Sequence, residues 1–459
     1  MGKMAFRTLL AGSGCAALLA ACQINAPPET VSLLPETANS DAISVANTEL
    51  VAPDRLAFTE EGIAALEARM GQYVTDKNVY GIATRLVHRD DVISDYRTGL
   101  IKLEDQEPLG EDSIYRIYSM TKPITGVAMM MLWEDGAFSL DDPVTEYVPE
   151  FEGLRVLDRI NEDGTPVLVD LRRPPTMQEL MSHTAGFAYG LRGDDPANSA
   201  FREQKILRAP DLETFIGRVA EVPLLFQPGE AWSYSAAVDI QGYIIQKLSG
   251  QSFGDFLQTQ MFGPLGMVDT AFAVTPEKYG RFSEVYGRDP DSGALVPVPY
   301  PEVQFTPETV AFESGGGGLT STMNDYTRFC QMLLNGGELD GARILKPETI
   351  ALMRTNVLTD GIMLSSDGAN QGDTRPGIGF GLDFGIITDA ETVGQPYGEG
   401  SYFWGGAAGT WFWIDPENDL YFIGMIQTFD REGPIGDIRA VSADLVYAAK
   451  ADETVAVVP

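Results

Sequence analysis

Histidine is almost absent from this chain. Its 459 residues include two, His88 and His183. Neither lies in an H-E-x-x-H pattern, which argues against a histidine-built metal hydrolase. His88 falls on a predicted strand and His183 in 179-ELMSHTAG-186, ahead of a turn; both read as structural. Cysteine is nearly as rare, with three in all. Cys15 lies within an N-terminal apolar run, Cys22 ends it, and Cys330 stands alone, so the mature chain holds no intramolecular disulfide. Positive charge is also short: 66 acids against 32 bases leave a net charge of −34. Nucleic acid and an anionic membrane surface both demand clustered Lys and Arg, so neither fits as a partner. The excess reads as a solvated acidic surface suited to a salty exterior. No G-x-S-x-G occurs, which removes the nucleophile elbow of α/β-hydrolases. The glycine run 313-ESGGGGLTST-322 lacks the Gly-Lys-Ser/Thr ending of a phosphate cradle and reads as a turn or a close backbone approach. No cofactor or metal is implied.

What is present is an ordinary core composition, 44% apolar and 10% aromatic. At the N-terminus Lys3 and Arg7 precede 8-TLLAGSGCAALLAA-21, a run too short and too rich in Gly and Ala to span a bilayer comfortably. It reads as a secretion signal over 1–21. Leu19-Ala20-Ala21-Cys22 resembles a bacterial lipobox, which implies an acylated Cys22 and a membrane reached through that lipid. An ordinary signal peptide with a chance cysteine is the plainer alternative. Gln23, by resemblance to the sorting rule, points to the outer membrane. Residues 22–56 are polar and proline-dotted, a flexible tether. One globular domain then covers 57–459. A helix capped by Thr59 carries Ile63, Leu66 and Met70 at helical spacing. The segments 80–89 and 92–99 read as paired strands, 140–275 as helix-rich, and 402–416 with 420–428 as a hairpin turning at Pro416 and Asn418. A last helix covers 437–450. Strands at both ends with helices between them predict an α+β domain around an antiparallel sheet.

Nine lysines are spread over the chain, and one of them, Lys122, sits in 113-SIYRIYSMTKPITGVAMMMLWEDG-136, three residues after Ser119. With 22 serines present, roughly 0.4 such pairs arise by chance, so the spacing alone is weak. Context strengthens it. Pro123 is tolerated only in a first helical turn, and i and i+3 share a face. Ile124, Val127, Ala128, Met131 and Leu132 then bury the helix. An ammonium there is costly unless it loses its proton or finds a partner, and beside Ser119 Oγ it would activate the hydroxyl. A second constellation, 226-FQPGEAWSYSAAVDIQGYII-245, delivers Tyr234 just ahead of a helix; a phenol near a cationic lysine gives up its proton more readily and can act as a general base. A third, Trp404-Gly405-Gly406-Ala407, puts two glycines on a predicted strand, where a substrate could approach closely.

In this order, the three groups resemble the serine β-lactamase and penicillin-binding superfamily, most closely its class C-like family VIII carboxylesterases. Ser119-Met120-Thr121-Lys122 is similar to the Ser-x-x-Lys motif, Tyr234-Ser235-Ala236 to the Tyr-x-Asn box, and Trp404-Gly405-Gly406 to the Lys-Thr-Gly strand. The likeness continues through 139–151, 180–190, 260–270 and 314–337. It implies a β-lactamase-like fold with a helix-rich subdomain, and a serine hydrolase of short-chain carboxylic esters. It further implies catalytic Ser119, Lys122 and Tyr234, an oxyanion hole from the backbone N–H groups of Ser119 and Ala407, and substrate contacts at Trp404, Gly405, Gly406 and Tyr189. Two departures bear on substrate: Ala236 stands where lactam-handling members usually carry Asn, and Trp404 where they carry a cation for the substrate carboxylate. A D-alanyl peptidase or weak β-lactamase is the enzymatic alternative, and a non-catalytic surface-binding lipoprotein the alternative from another class.

Overall fold

The computed structural model describes residues 58–451 apart from 192, 299–304, 309, 311, 365–373 and 430–432. The signal, the tether and Cys22 lie outside the described residues. The first helix, α1 (Glu60–Thr75), begins where the sequence predicts: the Thr59 side chain accepts from Gly62 N at 3.1 Å, and Glu60 and Glu61 face the positive end of the helix dipole. It buries Leu66, Met70 and Tyr73.

Strands β1 (Gly81–His88) and β2 (Asp91–Lys102) follow as an antiparallel hairpin, with a short β3 (Glu107–Pro108) beyond. The buried helix α2 (Thr121–Glu134) and its neighbour α3 (Ala237–Ser249) pack together in the interior. They are followed by α4 (Met323–Leu334), strands β4 (Ile378–Phe380), β5 (Gly385–Ile387), β6 (Tyr402–Gly405), β7 (Trp411–Asp415) and β8 (Leu420–Met425), and the closing helix α5 (Ile438–Ala448). One antiparallel sheet runs β4-β5-β6-β7-β8-β1-β2-β3, so the two ends of the domain meet at its centre, Ala83 opposite Met425 through His88 opposite Leu420. Seven of the eight β1 residues are buried, the pattern of a strand covered on both faces; α1 and α4 both contact it. The α+β architecture around an antiparallel sheet is therefore as expected. Among the described residues, no helix is long and apolar enough to cross a membrane.

Two local expectations change. The segment read as one strand over 402–416 is two, because residues 406–410 form a turn: Gly406 N donates to Thr410 O at 2.7 Å and Gly409 takes φ +94°. Gly406 and Ala407 thus lie at the sheet's end and not along a strand. The helix-rich middle also carries an unforeseen hairpin, Arg155–Ile160 against Pro166–Asp170. The turn at Pro416–Asn418 is where it was predicted, held by Asn418 N donating to Asp415 Oδ1 at 3.1 Å. A small pairing positions the site: Ile114–Arg116 lies antiparallel to Thr320–Thr322, which draws the glycine run 315–318 alongside the start of α2.

Candidate active site

Ser119 sits in a single tight turn, Tyr118–Met120, immediately before α2, and is 1% exposed. Tyr118 enters that turn at φ +43°, a left-handed conformation costly for a bulky residue. The turn holds because its neighbours over-determine it. Ile117 N donates to Leu319 O at 3.1 Å, Leu319 N donates to Thr121 Oγ1 at 3.1 Å, and Tyr326 OH donates to Met120 O at 3.0 Å. The serine is not a helix cap; no side-chain capping bond is made at the start of α2.

Lys122, also 1% exposed, reaches three oxygens: Gly316 O at 2.6 Å, Tyr189 OH at 3.3 Å and Ser119 Oγ at 3.5 Å. Its ammonium nitrogen lies 4.5 Å from the Tyr234 ring centroid and 5.1 Å from that of Tyr189. The expected convergence of Ser119, Lys122 and Tyr234 is therefore present in space across 115 residues of chain, from 119 to 234.

Sequence reasoning missed the groups that make a buried ammonium tolerable. Asp239, in the first turn of α3, is fully buried and accepts from the Ser314 hydroxyl and from Gly316 N, the latter at 3.0 Å. It thereby fixes the backbone of Gly316, whose own carbonyl, in the next peptide unit, binds Lys122. Burial raises the Asp239 carboxyl above its ordinary range, while Lys122 and the Ser314 and Gly316 donors pull it down. A second buried acid, Asp383, is held by Gln241 Nε2 at 3.2 Å; its burial raises it much further, against weaker opposition from Gln241 and Lys122. The signal for Asp239 was in plain view: an acid inside the mostly apolar run 237-AVDIQGYII-245. The glycine run is a close backbone approach, as read. A Cβ on Gly315 would lie 2.4 Å from Val238 O, and one on Gly316 2.4 Å from Tyr189 OH and 2.5 Å from Asp239 Oδ2.

Tyr234 is 6% exposed and wedged among rings, with centroids of His183 at 5.2 Å, Tyr189 at 5.6 Å, Trp404 at 5.8 Å and Trp232 at 6.2 Å. His183, expected to be structural, adopts φ +59° and receives Ser235 N at 3.2 Å on Nδ1, with Ser235 Oγ 2.9 Å away. An acceptor Nδ1 places the ring proton on Nε2. Burial, then the charge of Lys122, drives the pKa of this imidazole well below its ordinary value, so it stays neutral and braces the Tyr234–Ser235 segment.

The residues expected to contact substrate are placed differently from one another. Trp404 is buried against Tyr234 and Phe380, the latter 5.4 Å away. Tyr189 belongs to the polar network through Lys122, and burial followed by the Asp239 charge raises its phenol far above the ordinary range. It is not a simple apolar wall. The clearance offered by the two glycines is filled by protein, which corrects the reason given for them. A Cβ on Gly405 would lie 2.4 Å from Arg439 Nη2, and one on Gly406 2.1 Å from Thr410 Oγ1 and 2.3 Å from Ile117 O. Ala407 packs with Tyr118, Ala408, Val285 and Phe305 in a small apolar cluster beside the Ser119 turn. Among the described residues, neither the Ser119 nor the Ala407 backbone N–H donates to another protein group.

Residues 66–445 match the Beta-lactamase family model. Protein Rv1367c of Mycobacterium tuberculosis is 34% identical over 353 residues, covering 76% of this chain and 85% of that protein. Esterase EstB of Burkholderia gladioli is 29% identical over 405 residues, covering 84% and 95%. Among solved structures, EstCE1, described as a hydrolase with promiscuous acyltransferase activity, superposes with a TM-score of 0.69 at 25% identity, over 84% of this chain and 99% of that one. The chain belongs to the beta-lactamase family, and it is a serine hydrolase of that fold.

Proposed function

We propose that this hydrolase is a carboxylesterase that turns over through an acyl-enzyme on Ser119. The observation that carries the reading is the meeting of Ser119, Lys122 and Tyr234 in a buried site where Trp404, an uncharged ring, stands in the position expected to carry a carboxylate-binding cation. Ser119 Oγ attacks the ester carbonyl. Tyr234, coupled to Lys122, takes the hydroxyl proton and returns it to the leaving alcohol. The backbone N–H groups of Ser119 and Ala407 receive the oxyanion, each worth on the order of 3 kcal/mol. Water then cleaves the acyl-enzyme by the same route. The names of EstB and of EstCE1, an esterase and a hydrolase, support this choice within the family.

Substrate preference follows from charge. A lactam antibiotic or a peptide C-terminus brings a carboxylate, and a buried charge-assisted hydrogen bond is worth roughly 1.5–3 kcal/mol. Trp404 supplies one N–H donor and no charge. A neutral short-chain ester forfeits nothing. The expected result from a panel of chromogenic esters run beside a chromogenic cephalosporin is a kcat/KM at least about a hundredfold higher for the short esters, the scale of two such interactions. Efficient cephalosporin hydrolysis with slower esters would instead assign a β-lactamase.

The same proposal includes a lipid anchor on Cys22 in the cell envelope, at the outer membrane by the Gln23 sorting resemblance. Cys22→Ser should abolish labelling by a fatty-acid analogue and move the protein from the membrane to the soluble fraction, because several acyl chains hold firmly where none do. A wild-type mature chain that is soluble and unacylated would end the anchor reading while leaving the esterase reading intact.

A further inference from the structure

The structure assigns Arg439 the role of a positioning residue that holds and polarises the peptide unit presenting the Ala407 N–H. The inference rests on the proposed oxyanion role of that N–H. Arg439 lies in the first turn of α5, outside every motif read in the sequence, yet its guanidinium fills the space above Gly405. From there Nη2 donates to Thr410 O at 3.0 Å and to Gly406 O at 3.4 Å. Those carbonyls bracket the 406–410 turn, so one nitrogen, held in the plane of a rigid guanidinium, fixes both of its ends.

The chemistry of the second bond matters more than its length. Gly406 C=O and Ala407 N–H belong to one peptide group. A positive donor at the oxygen draws electron density toward it and makes the N–H a better donor at the other end. Arg439 therefore acts on the oxyanion through a peptide without touching substrate. The glycine at 405 is required because any side chain there would expel the guanidinium. The rest of the turn is tied separately, by Thr410 Oγ1 donating to Ile117 O at 3.3 Å and Thr428 N donating to Ala408 O at 2.8 Å. Loss of Arg439 thus loosens and depolarises the turn without releasing it.

The test compares oxo and thiono versions of one chromogenic ester, because a C=S group exploits an oxyanion hole poorly. In Arg439→Gln, kcat for the oxo ester should fall about 10- to 100-fold, somewhat less than the loss of a direct donor, with KM within about twofold. The oxo-to-thiono rate ratio should shrink by a similar factor. Arg439→Lys keeps the charge and should recover part of both. Gly405→Ala should reproduce the Arg439→Gln signature by displacing a flexible side-chain end, and it guards against a folding defect peculiar to the arginine variants. A kcat within twofold of wild type in Arg439→Gln, or a fall in kcat with an unchanged oxo-to-thiono ratio, overturns the assignment. Failure of the esterase reading looks different: the wild-type protein itself would then show no ester turnover or no oxo preference.

Discussion

Ser119→Ala should lower kcat/KM for chromogenic esters by about four to six orders of magnitude, the scale seen when the nucleophile of a concerted catalytic group is removed. It should also abolish covalent labelling by a fluorophosphonate. The fold should hardly notice. Ser119 is buried in a turn whose conformation is set by Ile117, Thr121 and Met120 through their bonds to Leu319 and Tyr326, and none of those bonds involves the Ser119 hydroxyl. Its side-chain hydroxyl lies 3.5 Å from Lys122 Nζ, farther than Gly316 O or Tyr189 OH lie from that nitrogen. Removing a single oxygen there leaves a void too small to matter and deletes a marginal hydrogen bond, so the melting temperature should stay within a few degrees. The pairing of near-complete inactivation with an intact fold is what a nucleophile predicts and a structural serine does not. Turnover within tenfold of wild type would remove Ser119 from the mechanism and revive the reading of a non-catalytic binding lipoprotein.

The residues that could be read in advance are those whose chemistry constrains spacing along one element. Ser119 and Lys122 share a helical face, so a local rule finds them, and Thr59 caps α1 by a rule equally local. Tyr234 was found by its place ahead of a helix. The misplaced strand at 402–416 shows the limit. Residues 406–410 carry two glycines and two alanines, compatible with a strand or a turn, and the choice is made by Arg439, Ile117 and Thr428, which arrive from other parts of the chain. The lysine's backbone acceptor was invisible for the same reason. Gly316 lies 194 positions from Lys122, and no periodicity announces that its carbonyl will be the lysine's shortest contact. Trp404 was read as a surface offered to substrate, whereas its ring is committed to Tyr234 and Phe380. Replacing it would unseat the proposed base as well as alter specificity, so a change at Trp404 alone cannot separate the two effects.

Lys122→Met carries the second large effect, and it is expected on both turnover and stability. With similar length and no charge, methionine fills the space but leaves Tyr234 without the cation near its ring and Ser119 without a neighbouring donor. Activity should drop at least about a thousandfold, and Ser119→Ala added on top should cost little more, since groups acting as a unit are not additive. The stability effect comes from Asp239 and Asp383. Burial already raises both carboxyls, and Lys122 is among the groups pulling each of them down. Without it both rise further, and an unpaired buried charge costs about 3–5 kcal/mol unless it takes up a proton. The sign is fixed by that direction. A carboxyl raised in the folded state contributes stability that is whole below its unfolded value near 4 and is lost as pH climbs through the folded one. Lys122→Met should therefore show its smallest deficit at pH 4.5, the pH-independent cost of taking the donor from buried Gly316 O, and fall progressively further behind wild type toward pH 8. Tyr189, already raised above the ordinary phenol range, adds nothing to that slope between these limits, whereas His183, relieved of the Lys122 charge that helps depress it, takes up a proton more readily in acid and adds to it with the same sign. Adding Asp239→Asn should flatten much of the dependence by removing the carboxyl nearest the Gly316 peptide, and it should leave turnover as low as before. Thermal melts of the three proteins at several pH values decide the matter. A Lys122→Met protein whose deficit is constant with pH, or greatest in acid, would show that Asp239 and Asp383 are not the partners that make this buried lysine tolerable.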